Sequence, residues 1–142
     1  MSRVQLALYK GPAKTVLDRA FHAGIRWRTR SLWSHAELVI DGKCYSSSNR
    51  DGGVRSKWIN LNSGHWGVID LPDWFAEPAL EWFASHEGAR YDWPGVFGFV
   101  LPIPHARSRY FCFEAVGEML GMDKTHKLDA NDLYDFAMEF AA

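Results

Sequence analysis

Two β-rich runs flank a single Asp-Gly pair: residues 34–40 read Ser-His-Ala-Glu-Leu-Val-Ile, then Asp41-Gly42, then residues 43–48 read Lys-Cys-Tyr-Ser-Ser-Ser. Asp-Gly is the favoured pair for a two-residue type I′ turn, so this stretch predicts an antiparallel hairpin with little freedom of register. Ile40 then lies opposite Lys43, Glu37 opposite Ser46 and His35 opposite Ser48. Side chains alternate along a strand, which puts His35, Glu37 and Val39 on one face with Cys44, Ser46 and Ser48. Ala36, Leu38 and Ile40 share the other face with Tyr45. One face is apolar; the opposite one collects an imidazole, a carboxylate and hydroxyls. A plain solvent-facing strand produces the same alternation, so the polar face reads either as sheet surface or as a site.

The rest of the chain supplies elements around that hairpin. Val4 to Tyr9 predicts a first strand closed by Lys10-Gly11-Pro12, and Ala13 to His22 a helix ended by Gly24. The basic connector Arg26-Trp27-Arg28-Thr29-Arg30 reads as a solvated face, or as an anion or partner contact. A short strand is expected over Val54 to Ile59 and another over Trp66 to Leu71, which makes an antiparallel sheet of consecutive strands. Asp73 is the expected N-cap of a helix running to about His86, with Phe75, Ala79, Trp82 and Phe83 as its apolar stripe. Residues 91–100 predict a short helix capped by Asp92, followed by a proline-rich loop. A final helix is capped by Asp129 or Asn131 and carries Leu133, Phe136, Ala137 and Phe140. The expectation is one α+β domain over residues 1–142, with a small antiparallel sheet and helices packed on it.

Composition narrows the function. A net charge of −1 with no basic run disfavours nucleic acid as a partner. Two cysteines are too few for a disulfide scaffold or a cysteine-rich zinc site. The histidines His22, His65, His86, His105 and His126 show no metal-binding spacing, so neither metal nor cofactor is expected. No stretch reaches the roughly 18 apolar residues of a membrane span, and the N-terminus lacks a signal-peptide core. These absences predict a cytoplasmic protein with no integral membrane segment; small size and the missing signal also suit a phage-encoded protein. Oligomeric state is not legible. Seven tryptophans predict core filling, with some lining a cleft.

The chemistry concentrates in residues 109–121, Arg-Tyr-Phe-Cys-Phe-Glu-Ala-Val-Gly-Glu-Met-Leu-Gly. Phe113, Val116 and Leu120 give this helix an apolar face, and Gly121 stops it. Cys112 falls in its first turn, where the positive end of the helix dipole favours thiolate. Glu114 and Glu118, four apart, read as a solvated pair. A free cysteine is also among the most commonly buried residues, so core filling is the competing reading for both Cys112 and Cys44. A thiol on a helix start and a histidine on a strand are the two essentials of a thiol hydrolase, the imidazole taking the thiol proton and later protonating the leaving group.

The pairing of Ser34-His35-Ala36-Glu37-Leu38 early with Tyr110-Phe111-Cys112-Phe113-Glu114-Ala115-Val116 late resembles the permuted NlpC/P60 group of papain-like cysteine hydrolases. In ordinary NlpC/P60 domains the cysteine helix precedes the histidine strand; in the permuted group, as here, it follows. Tyr91-Asp92-Trp93-Pro94-Gly95 resembles the tyrosine segment before the nucleophile in that superfamily. The resemblance implies a circularly permuted papain-like fold and hydrolysis of a peptide-like amide, plausibly a cell-wall peptide, with Cys112 as nucleophile and His35 as base. It also implies a cleft-shaping role for Tyr91. Two positions depart from the pattern: Phe113 replaces the usual small serine, and the next strand offers only Ser46, Ser47 and Ser48 for the third triad position. By register Ser48 lies beside His35, a bulge would bring Ser47 round, and Glu37 orients the ring if the imidazole tilts towards it. An acyl ester or lipid amide is the main alternative substrate, and a non-catalytic binding or structural module that keeps the fold is the alternative to an enzyme.

Overall fold

The computed structural model describes residues 2–10, 33–48, 51–89 and 112–140. Asp41 and Gly42 both take left-handed backbone angles, with φ of 50° and 86°. That is the pair a type I′ turn requires, and it joins β2 (His35–Ile40) to β3 (Lys43–Ser48). The turn is tied back to the first strand, because Arg3 N–H donates to Asp41 Oδ1 at 2.9 Å. With β1 (Val4–Tyr9), β4 (Gly53–Lys57) and β5 (Trp66–Leu71), the hairpin forms a five-stranded sheet of order β4-β3-β2-β1-β5. All neighbours are antiparallel.

Alternation along these strands separates two faces. Val4, Leu6 and Leu8 of β1 align with Ile40, Leu38 and Ala36 of β2, and together they floor the main core. The helices α1 (Ala76–His86), α2 (Cys112–Met119) and α3 (Ala130–Met138) close that core. Helix α2 lies directly against β2 and β3, touches α1 and α3, and α3 reaches β5. On the opposite face Ala7, Val39 and Cys44 form a small second cluster covered by Ile59, Leu61 and Trp66.

Helix α2 departs from the amphipathic surface helix that its spacing predicts. Cys112 through Gly117 are all buried, as are Met119 and Leu120. The reason is tertiary: sheet lies on one side and helices on others, so no wide polar stripe is needed. Glu114, expected in solvent, is 2% exposed. Gly117 permits the closest approach, since a Cβ there would sit 2.3 Å from Leu128 Cδ1. The helix ends in a Schellman motif: Met122 N–H donates to the Gly117 carbonyl at 2.9 Å and Gly121 N–H to that of Glu118 at 3.0 Å. Gly121 takes the left-handed φ of 75° that this motif needs.

Other expectations divide. Asp129 caps α3 through a reciprocal capping box with Asp132, its Oδ1 accepting from Asp132 N–H at 2.9 Å. Asp73 does not cap α1. It opens a 3₁₀ turn, Asp73–Phe75, that runs into the helix, and Pro72 occupies the capping position without a side-chain bond. Of the five described tryptophans none is fully buried: Trp33 and Trp82 pack on the main core, Trp66 on the second cluster, and Trp58 and Trp74 are exposed. The helices predicted over 13–22 and 91–100, and the connector 26–30, lie outside the described residues.

Gly42→Ala places a Cβ in the left-handed region and should lower the unfolding free energy by about 1 kcal/mol in urea titration. Asp41→Asn, which tolerates that conformation and keeps the oxygen facing Arg3, should stay within about 0.5 kcal/mol of the parent.

Candidate active site

Each partner of the candidate site begins an element. His35 is the first residue of β2 and Cys112 the first of α2. Strand alternation assigns His35 and Glu37 to the polar face, while Cys112 belongs to the main core on the other side. The two are neighbours, and each stands at the end of its element. His35 is hydrogen-bonded to the Glu37 side chain and lies beside Cys112. Its Nε2 faces Glu37 Oε2 in a short hydrogen bond, which leaves Nδ1 as the other ring nitrogen. The ring also stands edge-on to Trp66, centroids 6.4 Å apart.

Glu37 is completely buried at 0% exposure, and a carboxylate there needs cations. It has two. Beyond the imidazole, Arg55 of β4 donates from Nη1 to Oε1 and from Nη2 to Oε2, both at 2.6 Å. The third guanidinium nitrogen, Nε, donates to Asp51 Oδ2 at 2.7 Å, and Lys57 Nζ donates to the same oxygen at 2.8 Å. Side-chain exposure rises outward along this chain, from 0% at Glu37 through 14% at Arg55 and 28% at Asp51 to 40% at Lys57. Alternating charges thus connect the buried carboxylate to solvent.

The charges set the protonation states. Burial alone disfavours the His35 imidazolium, but the neighbouring Cys112 and the Glu37 carboxylate outweigh it and raise the ring to about 9. Glu37 goes the other way. Burial pushes its carboxyl up, yet His35 and Arg55 hold it below its ordinary value. Burial likewise raises Asp51, but its bonds to Lys57 and Arg55 take it down to about 2. At neutral pH the line is therefore charged, an imidazolium between sulfur and carboxylate.

The two cysteines are both buried, as core filling expects, but their surroundings differ. Cys44 sits in the second cluster with Ala7 and Val39, where burial and then the Glu37 charge push its thiol up to about 11. Cys112 faces the imidazole. Among the described residues, no cluster of three or more histidine, cysteine, aspartate or glutamate side chains could hold a metal. No described helix is long and apolar enough to cross a membrane.

The serines do not stand where the regular hairpin puts them. The β2–β3 register covers Ile40–Lys43, Val39–Cys44 and Leu38–Tyr45, and includes neither Glu37–Ser46 nor His35–Ser48. Beyond it the Ser46 hydroxyl donates to the Ala36 carbonyl at 2.6 Å, an acceptor that a regular ladder would offer to the Ser47 backbone. Ser47 and Ser48 instead pair with Val54 and Gly53 of β4. The residue brought to Nε2 of His35 is Glu37, and Tyr91 lies outside the described residues. Arg55 was absent from the sequence-based candidates. A signal exists, because extending the β3–β4 hairpin puts Arg55 opposite Ser46, one strand away from Glu37. Phe113 is 1% exposed and fills the main core. Comparison of the chain with protein-family models, curated proteins and solved structures gives no match.

Removing the guanidinium leaves a buried carboxylate with one cation fewer, so Arg55→Met should cost about 3–5 kcal/mol in urea denaturation. Lys57→Met, at the exposed end, should cost less than about 1 kcal/mol. The depressed carboxyls also fix an acid limb. Glu37 and Asp51 have ordinary values of 4.5 and 3.8, and in the native state both titrate lower. Below those values the unfolded chain binds protons that the native state refuses, so the contribution of these two carboxyls is full above about pH 4.5 and declines as pH falls towards 2. Urea midpoints measured between pH 2.5 and about 6 should trace that decline, and Asp51→Asn should shallow its lower part.

Proposed function

We propose that this chain is a cysteine hydrolase of the permuted NlpC/P60 type, with Cys112 as nucleophile, His35 as proton carrier and Glu37 as the group that orients the ring. The observation that carries the reading is the line Cys112–His35–Glu37, with the ring bonded to Glu37, beside Cys112 and cationic at neutral pH. Supporting it are the chain order, histidine strand before cysteine helix, and the antiparallel sheet on which that helix packs. The circularly permuted papain-like arrangement belongs to this proposal.

The chemistry runs in two halves. The Cys112 sulfur attacks the substrate carbonyl carbon, and the displaced π electrons settle on oxygen beside the N–H groups at the start of α2. Collapse breaks the carbon–nitrogen bond while His35 gives its proton to the departing amine, leaving a thioester. The neutral ring then takes a proton from water, the hydroxide attacks the thioester, and collapse releases the acid and the sulfur. Glu37 keeps Nδ1 aimed at sulfur throughout, as the third member of a triad does. The substrate class is a peptide-like amide, with a cell-wall peptide as the leading candidate and an acyl ester as its variant.

One observation favours the alternative, a non-catalytic module with the same fold: Cys112 is only 2% exposed. Labelling of the native protein with fluorescent iodoacetamide at pH 7 separates the two. The enzyme reading expects one labelled thiol, lost in Cys112→Ala and slowed about a hundredfold in His35→Ala. Undiminished labelling of Cys112→Ala would assign the reactive thiol to Cys44 and sink the assignment. A wild-type protein that takes no label while folded returns Cys112 to core filling.

A further inference from the structure

We propose that Arg55 is a positioning residue for His35, acting through Glu37: its guanidinium fork holds the carboxylate ionised and in the plane that keeps the ring against Cys112. The inference rests on the hydrolase reading and adds a residue that the Cys–His–Glu line does not contain. A single hydrogen bond from His35 leaves the Glu37 carboxylate free to rotate about its last torsion, because that torsion is broad. Two parallel bonds of 2.6 Å from Nη1 and Nη2 remove the freedom and fix where Oε2 presents its remaining lone pair. That oxygen is the one His35 Nε2 meets.

The fork also helps to hold Glu37 ionised, alongside the charge of His35. At 0% exposure water cannot stabilise the anion, so loss of Arg55 leaves the carboxylate less firmly charged. Glu37 then favours the imidazolium less, so the ring loses part of what holds it charged beside sulfur. Arg55 is itself held. Nε is bonded to Asp51 Oδ2, and Lys57 fixes that aspartate from the same strand. All three guanidinium nitrogens are thus committed, a degree of definition that a lysine cannot reproduce. Stability alone does not call for this arrangement, since well-packed apolar residues commonly match or exceed a buried ion pair.

The test is the rate at which iodoacetamide alkylates Cys112 in the folded protein at pH 7, read by mass on the Cys112 peptide. Circular dichroism melts establish that each variant is folded. Arg55→Met should slow alkylation about tenfold, the usual scale for groups that orient a reacting residue. Arg55→Lys restores the charge without the fork and should fall between Arg55→Met and the parent. In a Glu37→Gln background Arg55→Met should add no further slowing, because its route to the ring is gone. If Arg55→Met does not fold, Asp51→Ala keeps the fork and frees Nε; it should slow alkylation less, and not at all in the Glu37→Gln background. Parent rates in the folded Arg55 and Asp51 variants, or equal slowing with and without Glu37, would overturn the proposal. His35→Ala is the control for the underlying reading: if it leaves the rate unchanged, the hydrolase assignment fails, whereas slowing there with none at Arg55 rejects Arg55 alone.

Discussion

A carboxylate with no access to water organises this molecule's polar side. Glu37 is buried inside the sheet, and every charged neighbour can be understood as a response to it. Arg55 and His35 supply opposite charge, Asp51 anchors the arginine, and Lys57 compensates the aspartate where water begins. The network makes the charge of Glu37 bearable, and the charge of Glu37 helps to keep the imidazole cationic. Remove the carboxylate and the reason for three other side chains disappears with it.

The apolar side follows a separate logic. Helix α2 is the central piece, enclosed by strands and helices together, and it needs small or apolar residues on nearly every face. Phe113 and Gly117 answer that need in opposite ways, one filling a large volume and the other yielding space to Leu128. The helix is thereby held rigidly from its first residue to its Schellman stop. Cys112 inherits that rigidity, so the sulfur's position relative to the sheet is set by core packing, while the ring's position is set by the polar network.

How much of this was legible in the sequence depends on the range of the interactions involved. The Asp41-Gly42 turn, β1 and β5 were readable because turn chemistry and alternation are local, and Asp129 because its capping partner is three residues away. The juxtaposition of His35 with Glu37 also follows from one strand. Asp73 misled because a proline before it took the capping position and a 3₁₀ turn followed. Ser48 misled because the β2–β3 ladder does not continue in register, and a hydroxyl bonding to the Ala36 carbonyl leaves no trace in a hydrophobic pattern. Arg55 and the enclosure of α2 were out of reach for a common reason. Both depend on elements that are neighbours only after the sheet has formed, and residue spacing carries no record of such neighbours.

That the histidine opens β2 and the cysteine opens α2 has a consequence for how the chain matures. More than half of its length separates the two residues, so their contact is among the most non-local in the fold, and non-local contacts form last. During synthesis the hairpin emerges and closes long before the thiol leaves the ribosome. A chain in that state holds the imidazole without its sulfur neighbour. The thiol, when it arrives, meets the ring only once α2 has docked in the core. Assembly therefore acts as a checkpoint on the pair: the Cys112–His35 juxtaposition exists only in molecules whose core is already sealed.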